Sequence, residues 1–271
     1  MSFFKKMLAK VGIGNIEVDT QFYTEVFVPG EVVEGVVIAK GGSVEQTVDQ
    51  LYFQLVTEYI KPVEKDEDRD GRTEIHFQTE TFVIANFVLG ERLVFMPGET
   101  IEIPFSILLP HETPISIGIN PIWIHTGLDV DNAIDPTDRD DIEIVAHPFS
   151  AIIFEALEAL GFQVRKAENE YYPQRNYHLP FIQKFEFEPN FRSEYKKSVD
   201  EVELVFYPDE RGVEIILEFD RKMRGFTGFL ADMLDADESH ERISFRREEL
   251  EEGASAMAER FREIFDELLE H

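Results

Sequence analysis

The segment DVDNAIDPTDRDD, which begins at Asp129, carries six aspartates around one arginine. Carboxylate oxygens bind hard cations such as Ca²⁺, and carboxylate pairs can also act as general acid and base. An EF-hand loop needs oxygen ligands at positions 1, 3, 5 and 12 and a glycine at position 6. Counted from Asp129, positions 5 and 6 are Ala133 and Ile134; counted from Asp131, position 6 is Pro136. The spacing therefore excludes an EF-hand.

A less regular divalent-metal site and a glycosidase-like carboxylate pair stay open as alternatives for this segment. The pattern favours a structural loop, in which Asp135 caps a short helical turn, Pro136 opens the turn, and neighbouring acids hold Arg139 in bidentate pairs. We therefore predict an ordered loop near an interdomain joint and no metal site. The residues of this predicted loop are Asp129, Asp131, Asp135, Asp138, Arg139 and Asp140.

Other patterns that carry chemistry are missing from the sequence. There is no cysteine, which excludes thiol catalysis, disulfides and the usual structural zinc sites. The seven histidines show no HxH, HxxxH or HExxH spacing, and neither a GxSxG elbow nor a GxxxxGK[ST] loop is present. We predict that the protein is not an enzyme and needs no cofactor.

The net charge of -29 argues against nucleic acid as a partner, because binding phosphates requires clustered Lys and Arg. A protein partner is expected to present basic or apolar surface. The sequence offers neither a secretory signal nor the 18 or more consecutive apolar residues of a membrane span. The expected location is the cytoplasm.

Period-two alternation dominates the first half of the chain. The runs LYFQLVTEY, from Leu51, and TIEIPFSILL, from Thr100, place apolar side chains on one face and polar ones on the other. Turn signals such as Pro29-Gly30 and Pro97-Gly98 separate such runs. This half is expected to fold as an antiparallel β-sandwich.

The period changes in PFSAIIFEALEALG, where Phe149, Ile153, Leu157 and Leu160 lie on one face of a helix that ends at Gly161. Alternation returns in KFEFE, DEVELVF and GVEIILEF. Two β-rich halves joined by a short helix predict two sandwich domains.

A C-terminal amphipathic helix is predicted at about residues 247–270. Its apolar stripe is the seam of a coiled coil, which would make a homodimer, or the face of a helix docked on its own domain. The candidate oligomerisation residues are Leu250, Met257, Phe261, Ile264 and Leu268.

The segment DRKMRGFTGFL brings Arg221, Lys222, Arg224 and Phe226 together in an acidic chain. These residues are a candidate binding loop for an acidic partner protein, and the alternative is local pairing with neighbouring acids.

The N-terminal FFKKMLAKV places apolar residues from Phe3 to Val11 on one helical face and lysines on the other. It is expected to pack on the protein, with weak contact to a membrane surface as the alternative.

Two stretches resemble the N-terminal domains of arrestins. FVPGEVVEGVVIA, from Phe27, matches their "PGE-x-V-x-G-x-V" turn and strand, and PGETIEIPFSILLPHETPIS, from Pro97, matches their "PFS-x-x-LP" strand. Pro104 in the second stretch fits only where its missing N–H leaves no ladder bond unmade.

The chain most resembles the bacterial and archaeal sporulation-control family of arrestin-like proteins. The resemblance is carried by MSFFKKMLAKVGIG, VDTQ, LDVDNAIDPTDRD, LGF, FEFEP and RGFTGFL, which are spread over almost the whole chain. It implies a mainly β fold of two tandem arrestin-like antiparallel β-sandwich domains, residues 1–147 and 148–271. It also implies a cytoplasmic role in sporulation or stress-linked differentiation, without catalysis.

The sequence is consistent with two functions. The first is a regulatory or scaffold protein that acts through protein–protein contact. The second is a calcium- or carbohydrate-binding β-sandwich module, which would be stabilised by its ligand.

Overall fold

The structure is a computed structural model that describes residues 16–65, 74–118, 120–130, 135–173, 177–221 and 241–270. The described chain is mainly β, as the sequence predicted, with a short helix in the middle and helical structure at the C-terminus. Its strands are β1 (Glu17–Phe22), β2 (Val26–Phe27), β3 (Val32–Lys40), β4 (Gln46–Lys65), β5 (Glu74–Phe95), β6 (Thr100–Leu108), β7 (Ile122–Val130), β8 (Thr137–Asp141), β9 (Glu143–Ile144), β10 (Phe162–Tyr171), β11 (Phe181–Pro189), β12 (Val199–Asp209), β13 (Gly212–Arg221) and β14 (Glu241–Arg246). Its helices are α1 (Pro148–Ala159), α2 (Arg247–Leu250) and α3 (Ala254–Glu270), and a 3₁₀ turn spans Glu194–Lys197.

The chain forms two compact units. The first comprises Met1–Glu58, Thr81–Ser116 and Pro121–Val145, and the second comprises Tyr59–Glu80, Ile117–Asn120 and Ala146–His271. The long strands β4 and β5 each contribute residues to both units. A domain boundary at residue 147 stays a prediction.

The first unit is a β-sandwich. One sheet has the order β1-β3-β6, and the other joins β5, β4, β7 and β8. Phe53 of β4 and Phe105 of β6 meet edge to face between the sheets, with ring centroids 4.7 Å apart. The alternation in LYFQL predicted this packing, because it directs Leu51, Phe53 and Leu55 to one buried face.

The turn and proline signals of the first unit are confirmed. Gly30 and Gly98 have φ angles of 82° and 71°, in the left-handed region that glycine tolerates. Pro104 lies in β6, which pairs with β3 and is the last strand of its sheet. Its missing N–H therefore leaves the ladder intact.

The second unit is built on a sheet with the order β14-β13-β12-β11-β10. Helices α1 and α3 cover the apolar face of this sheet. Phe154 of α1 lies against Phe185 and Phe206, with ring centroids 5.2 and 5.1 Å away. The described part of this unit is therefore a sheet backed by helices.

Glycines with positive φ angles mark the ends of two helices. Gly161, with a φ angle of 81°, comes directly after α1 and its C-cap, Leu160. Gly253, with a φ angle of 91°, lies between α2 and α3. The single helix expected at residues 247–270 is therefore wrong in one respect, since the chain turns at Gly253 and forms two helices.

Candidate interaction surfaces

The described residues of the acidic segment belong to β7, to β8 and to the two positions before β8, and the two strands pair as the β7–β8 hairpin. Asp129 is exposed near the end of β7, and Asp135 accepts a hydrogen bond through Oδ1 from the backbone N–H of Val130 at 3.0 Å. The helical turn expected at Asp135 is wrong, because Thr137–Asp141 pairs with β7 as a strand. Asp131 lies outside the described residues.

Arg139 anchors the hairpin on its outer face. The Cζ atom of its guanidinium lies 4.0 Å from the ring centroid of Trp123. Its Nε and Nη2 atoms both donate to Oδ1 of Asp141, at 3.1 and 2.9 Å. The ion pair thus uses one carboxylate oxygen rather than the expected bidentate fork, and stacking on Trp123 supplies the second contact.

Asp138 and Asp140 lie on the opposite face of β8 from Arg139. Oδ2 of Asp138 accepts a hydrogen bond from the backbone N–H of Thr20 at 3.0 Å. Burial, together with the charges of Asp138, Asp19 and Asp141, raises the pKa of Asp140 to about 6. In the ranges that the structure describes, no group of three or more His, Cys, Asp or Glu is arranged to hold a metal ion. The position of this segment near an interdomain joint stays a prediction.

The apolar stripe of the C-terminal helices packs on their own unit. Leu250, Met257, Phe261 and Ile264 are buried, and Leu268 is partly exposed. The ring of Phe261 lies 5.6 Å from that of Phe245 on β14. This is the docked alternative from the sequence. A homodimer through these helices stays a prediction, and it could not use the buried part of the stripe without undocking it.

The predicted basic loop starts where the described chain stops. Arg221 is the last residue of β13, and Lys222, Arg224 and Phe226 lie outside the described residues. The N-terminal apolar face from Phe3 also lies outside them. Both binding predictions therefore stay predictions.

A buried group of charged side chains lies in the second unit, on the face of the sheet opposite to α1 and α3. The sequence patterns did not predict it. Lys184 lies at its centre, on β11. Its Nζ atom is 3.3 Å from Glu170, 3.3 Å from Glu203 and 3.6 Å from Glu186. We call these four residues the Lys184 cluster. All four are buried, and Glu186 also pairs with Arg165 and lies 3.8 Å from the ammonium of Lys166. Lys184 is therefore the main cation for Glu170 and Glu203 and one of three for Glu186.

Burial and the neighbouring charges shift the pKa values of the Lys184 cluster. Burial raises the pKa of Glu203 to about 7 against the opposing attraction of Lys184, and burial also raises the pKa of Glu170. The three carboxylates favour the ammonium form, so the pKa of Lys184 is raised although burial opposes the shift. Near neutral pH the cluster therefore binds a proton that isolated glutamates would release.

Replacing Glu203 with glutamine is expected to stabilise the protein at pH 8. The folded state binds the Glu203 proton more tightly than the unfolded state, so stability falls as pH rises from the ordinary glutamate pKa of 4.5 to the raised pKa of Glu203, about 7. The variant does not lose stability in this way, so its free energy of unfolding should exceed that of the wild type by about 1–2 kcal/mol at pH 8, but by little at pH 5. Urea unfolding followed by circular dichroism at both pH values measures the difference. A gain that is equal at the two pH values would contradict this assignment.

The outer strand β5 is a second feature of the surface. Within the described residues it pairs with β4 alone, so its other edge is open. We call residues 81–95, the part of β5 in the first unit, the β5 edge. Val88 and Val94 are exposed apolar side chains on it. The hydrogen-bonding groups of such an edge are available to a strand from another chain.

The fold and its surfaces define an arrestin-like β-sandwich protein with an open strand edge. No helix in the described ranges is long and apolar enough to cross a membrane.

Comparison with known proteins assigns the family. Residues 4–223 match the family described as SpoOM protein. The sporulation-control protein spo0M of Bacillus subtilis (strain 168) is 38% identical over 270 residues, which cover 100% of this chain and 98% of that protein. The crystal structure of Spo0M, sporulation control protein, from Bacillus subtilis has a TM-score of 0.78 at 36% identity, covering 95% of this chain and 99% of that one. The chain belongs to the Spo0M family, and the resemblance inferred from the sequence is confirmed.

Proposed function

We propose that this protein is a non-catalytic regulator in sporulation control or stress-linked differentiation, and that it acts in the cytoplasm by binding other proteins. The regulatory role is supported by the relative, which is named a sporulation-control protein and aligns along the whole chain. The binding mechanism is supported by one observation, the open β5 edge.

The composition of the β5 edge supports this role. Its segment TFVIANFVLG, residues 81–90, contains no charged residue and no proline, although the chain carries 55 acidic and 26 basic residues. Natural proteins usually protect an open edge with lysine, proline or a bulge. Residues 81–90 of the β5 edge are thus unprotected, whereas Glu91 and Arg92, with a φ angle of 53° at Arg92, follow them in the same strand. The unprotected stretch is expected to be covered by a partner when the protein works.

The partner would add a strand to the sheet. Its backbone would form the ladder hydrogen bonds with the free edge, and its alternate side chains would contact exposed residues such as Val88. Backbone pairing supplies affinity, and the side-chain contacts select the partner. This chemistry requires no catalytic group.

The test places a lysine on the edge. Val88→Lys should abolish capture of partners from native lysate of the source organism, measured by cross-linking and mass spectrometry, because a charge on the edge opposes strand addition. The matched control is Val32→Lys on β3, since Val32 is 58% exposed and Val88 is 55% exposed. Val32 lies outside the β5 edge and pairs with Leu108 of β6, so partners should survive this substitution.

Both variants should keep the wild-type melting temperature, because the substituted side chains are more than half exposed. Partners that remain bound to Val88→Lys, or that are lost equally from both variants, would contradict binding through the β5 edge.

A further inference from the structure

The loop after β11 carries an unusually exposed aromatic side chain. Phe191 is 84% exposed, more than any other large apolar side chain among the described residues. A phenylalanine in this position exposes to water an area that a protein normally buries in a core or an interface.

The exposure does not come from a loosely held loop. The backbone N–H of Asn190 donates to the carbonyl of Gly161 at 2.8 Å, and the N–H of Arg192 donates to Oδ1 of Asn190 at 2.8 Å. On the other side, the buried Oγ of Ser193 donates to the carbonyl of Leu160 at 2.8 Å. The loop is thus bonded on both sides of Phe191, so a partner would not have to order it on binding.

Positive charge lies beside the ring. The guanidinium carbon of Arg192 is 5.2 Å from the ring centroid of Phe191, and this stacking leaves the ring exposed. In the described part of the chain, Arg192 forms no ion pair with a carboxylate. The nearby Glu194 pairs with Arg262 at 3.0 Å. The charge of Arg192 is therefore available to a ligand.

The ring and the guanidinium line an open cleft of about 480 Å³. Lys196 also lines this cleft, and Gln163 and Glu188 line it as well. The volume is comparable to that of ordinary ligand pockets. A ligand that matches this cleft needs a negative group for Arg192 and an apolar group for the ring of Phe191.

We propose that Phe191 and Arg192, here called the Phe191 surface, bind an acidic peptide segment of a partner protein. A carboxylate side chain pairs with the guanidinium of Arg192, and a neighbouring apolar side chain packs on Phe191. A free anion would leave the apolar ring unused, which favours a peptide over a small anion such as phosphate.

The acidity of the protein does not prevent this binding. The net charge of -29 is spread over the whole chain, and at about 0.15 M salt charges more than roughly 8 Å apart are largely screened. Close contacts with Arg192 are much less affected. The Phe191 surface is also separate in sequence from the β5 edge, so binding here can be tested independently of strand addition.

The experiment measures binding of the full chain to a fluorescein-labelled peptide of twelve residues that alternates glutamate with phenylalanine, by fluorescence polarisation at 0.15 M NaCl. Arg192→Glu should weaken binding at least tenfold, and Phe191→Ala about three- to tenfold. Arg211→Glu is the matched control, because Arg211 is an exposed arginine elsewhere in the same unit. It should leave affinity unchanged. A second peptide with glutamine in place of glutamate should not bind.

Several outcomes would overturn the proposal. These are an absence of wild-type binding at millimolar peptide, equal binding by Arg192→Glu, and retained binding of the glutamine peptide. Displacement of the peptide by 10 mM inorganic phosphate but not by 10 mM acetate would assign the site to phosphate and reject the carboxylate peptide. None of these results depends on the Val88→Lys experiment.

Discussion

Replacing Phe265 with alanine is expected to lower the free energy of unfolding by about 3–5 kcal/mol, because it leaves a cavity among packed aromatic rings. Phe265 of α3 is fully buried. Four rings have their centroids 5.0–5.7 Å from its own, those of Phe162, Tyr195, Phe219 and Phe261. The side chain therefore joins the C-terminal helix to the sheet at the centre of the helical layer.

Urea unfolding followed by circular dichroism measures this effect. Phe191→Ala is the control, since that ring is 84% exposed and its removal should change stability by less than about 0.5 kcal/mol. A loss below about 1 kcal/mol for Phe265→Ala would mean that α3 contributes little to the stability of its unit.

Replacing Lys184 with methionine is expected to cost about 3–5 kcal/mol at pH 8, because Glu170 and Glu203 lose the buried ammonium partner that lies 3.3 Å from each, whereas Glu186 keeps its pair with Arg165. The cost should be clearly smaller at pH 5. The pKa values of Glu170 and Glu203 are already raised, so these groups can take up protons and become neutral. Lys184 itself stays protonated across this range, because its pKa is raised above 10.5.

The measurement is urea unfolding at pH 5 and pH 8. Arg242→Met is the matched control on the same sheet, where an exposed arginine pairs with Glu214 at 2.6 Å. Removal of this pair should cost less than about 1 kcal/mol at either pH. Equal losses for Lys184→Met at the two pH values would show that the carboxylates do not respond to the missing charge.

Much of the fold could be predicted from local patterns. The spacing of Phe149, Ile153 and Leu157 indicated α1 to within a residue or two, because the apolar face of an amphipathic helix packs against the core. Pro104 required a position where its missing N–H leaves no ladder bond unmade, and the structure places it in β6, the last strand of its sheet. These features depend on neighbours in sequence, and so a single sequence suffices to find them.

The Lys184 cluster could not be found in the same way. In KFEFE the alternation assigned Phe185 and Phe187 to the core and left Lys184 and Glu186 for water, although the sheet buries both faces. Two of the partners of Lys184, Glu170 and Glu203, come from β10 and β12, and cross-strand register sets their approach. The signal that was present, a lysine between acids on neighbouring strands, needs that register to be informative.

One local prediction failed and one surface was missed, both because contacts distant in sequence decided the outcome. Asp135 and Pro136 have the residue types of a helix start, but pairing of Thr137–Asp141 with β7 outweighed that local preference. The Phe191 surface was missed because an exposed phenylalanine in a loop has no periodicity. Its exposure follows from the anchoring of Asn190 to Gly161, which is distant in sequence.

The path of the chain through the two units has a consequence for synthesis on the ribosome. Tyr59, in the second unit, stacks on Tyr171 and Phe181, which are made roughly 110 residues later. At about 5–20 residues per second, the segment from Tyr59 to Glu80 waits about 5–20 s for its packing partners. During that interval the first unit can gain all of its own strands. The nascent chain therefore carries an incomplete part of the second unit while it finishes the first, and this is the stage at which a chaperone would protect it.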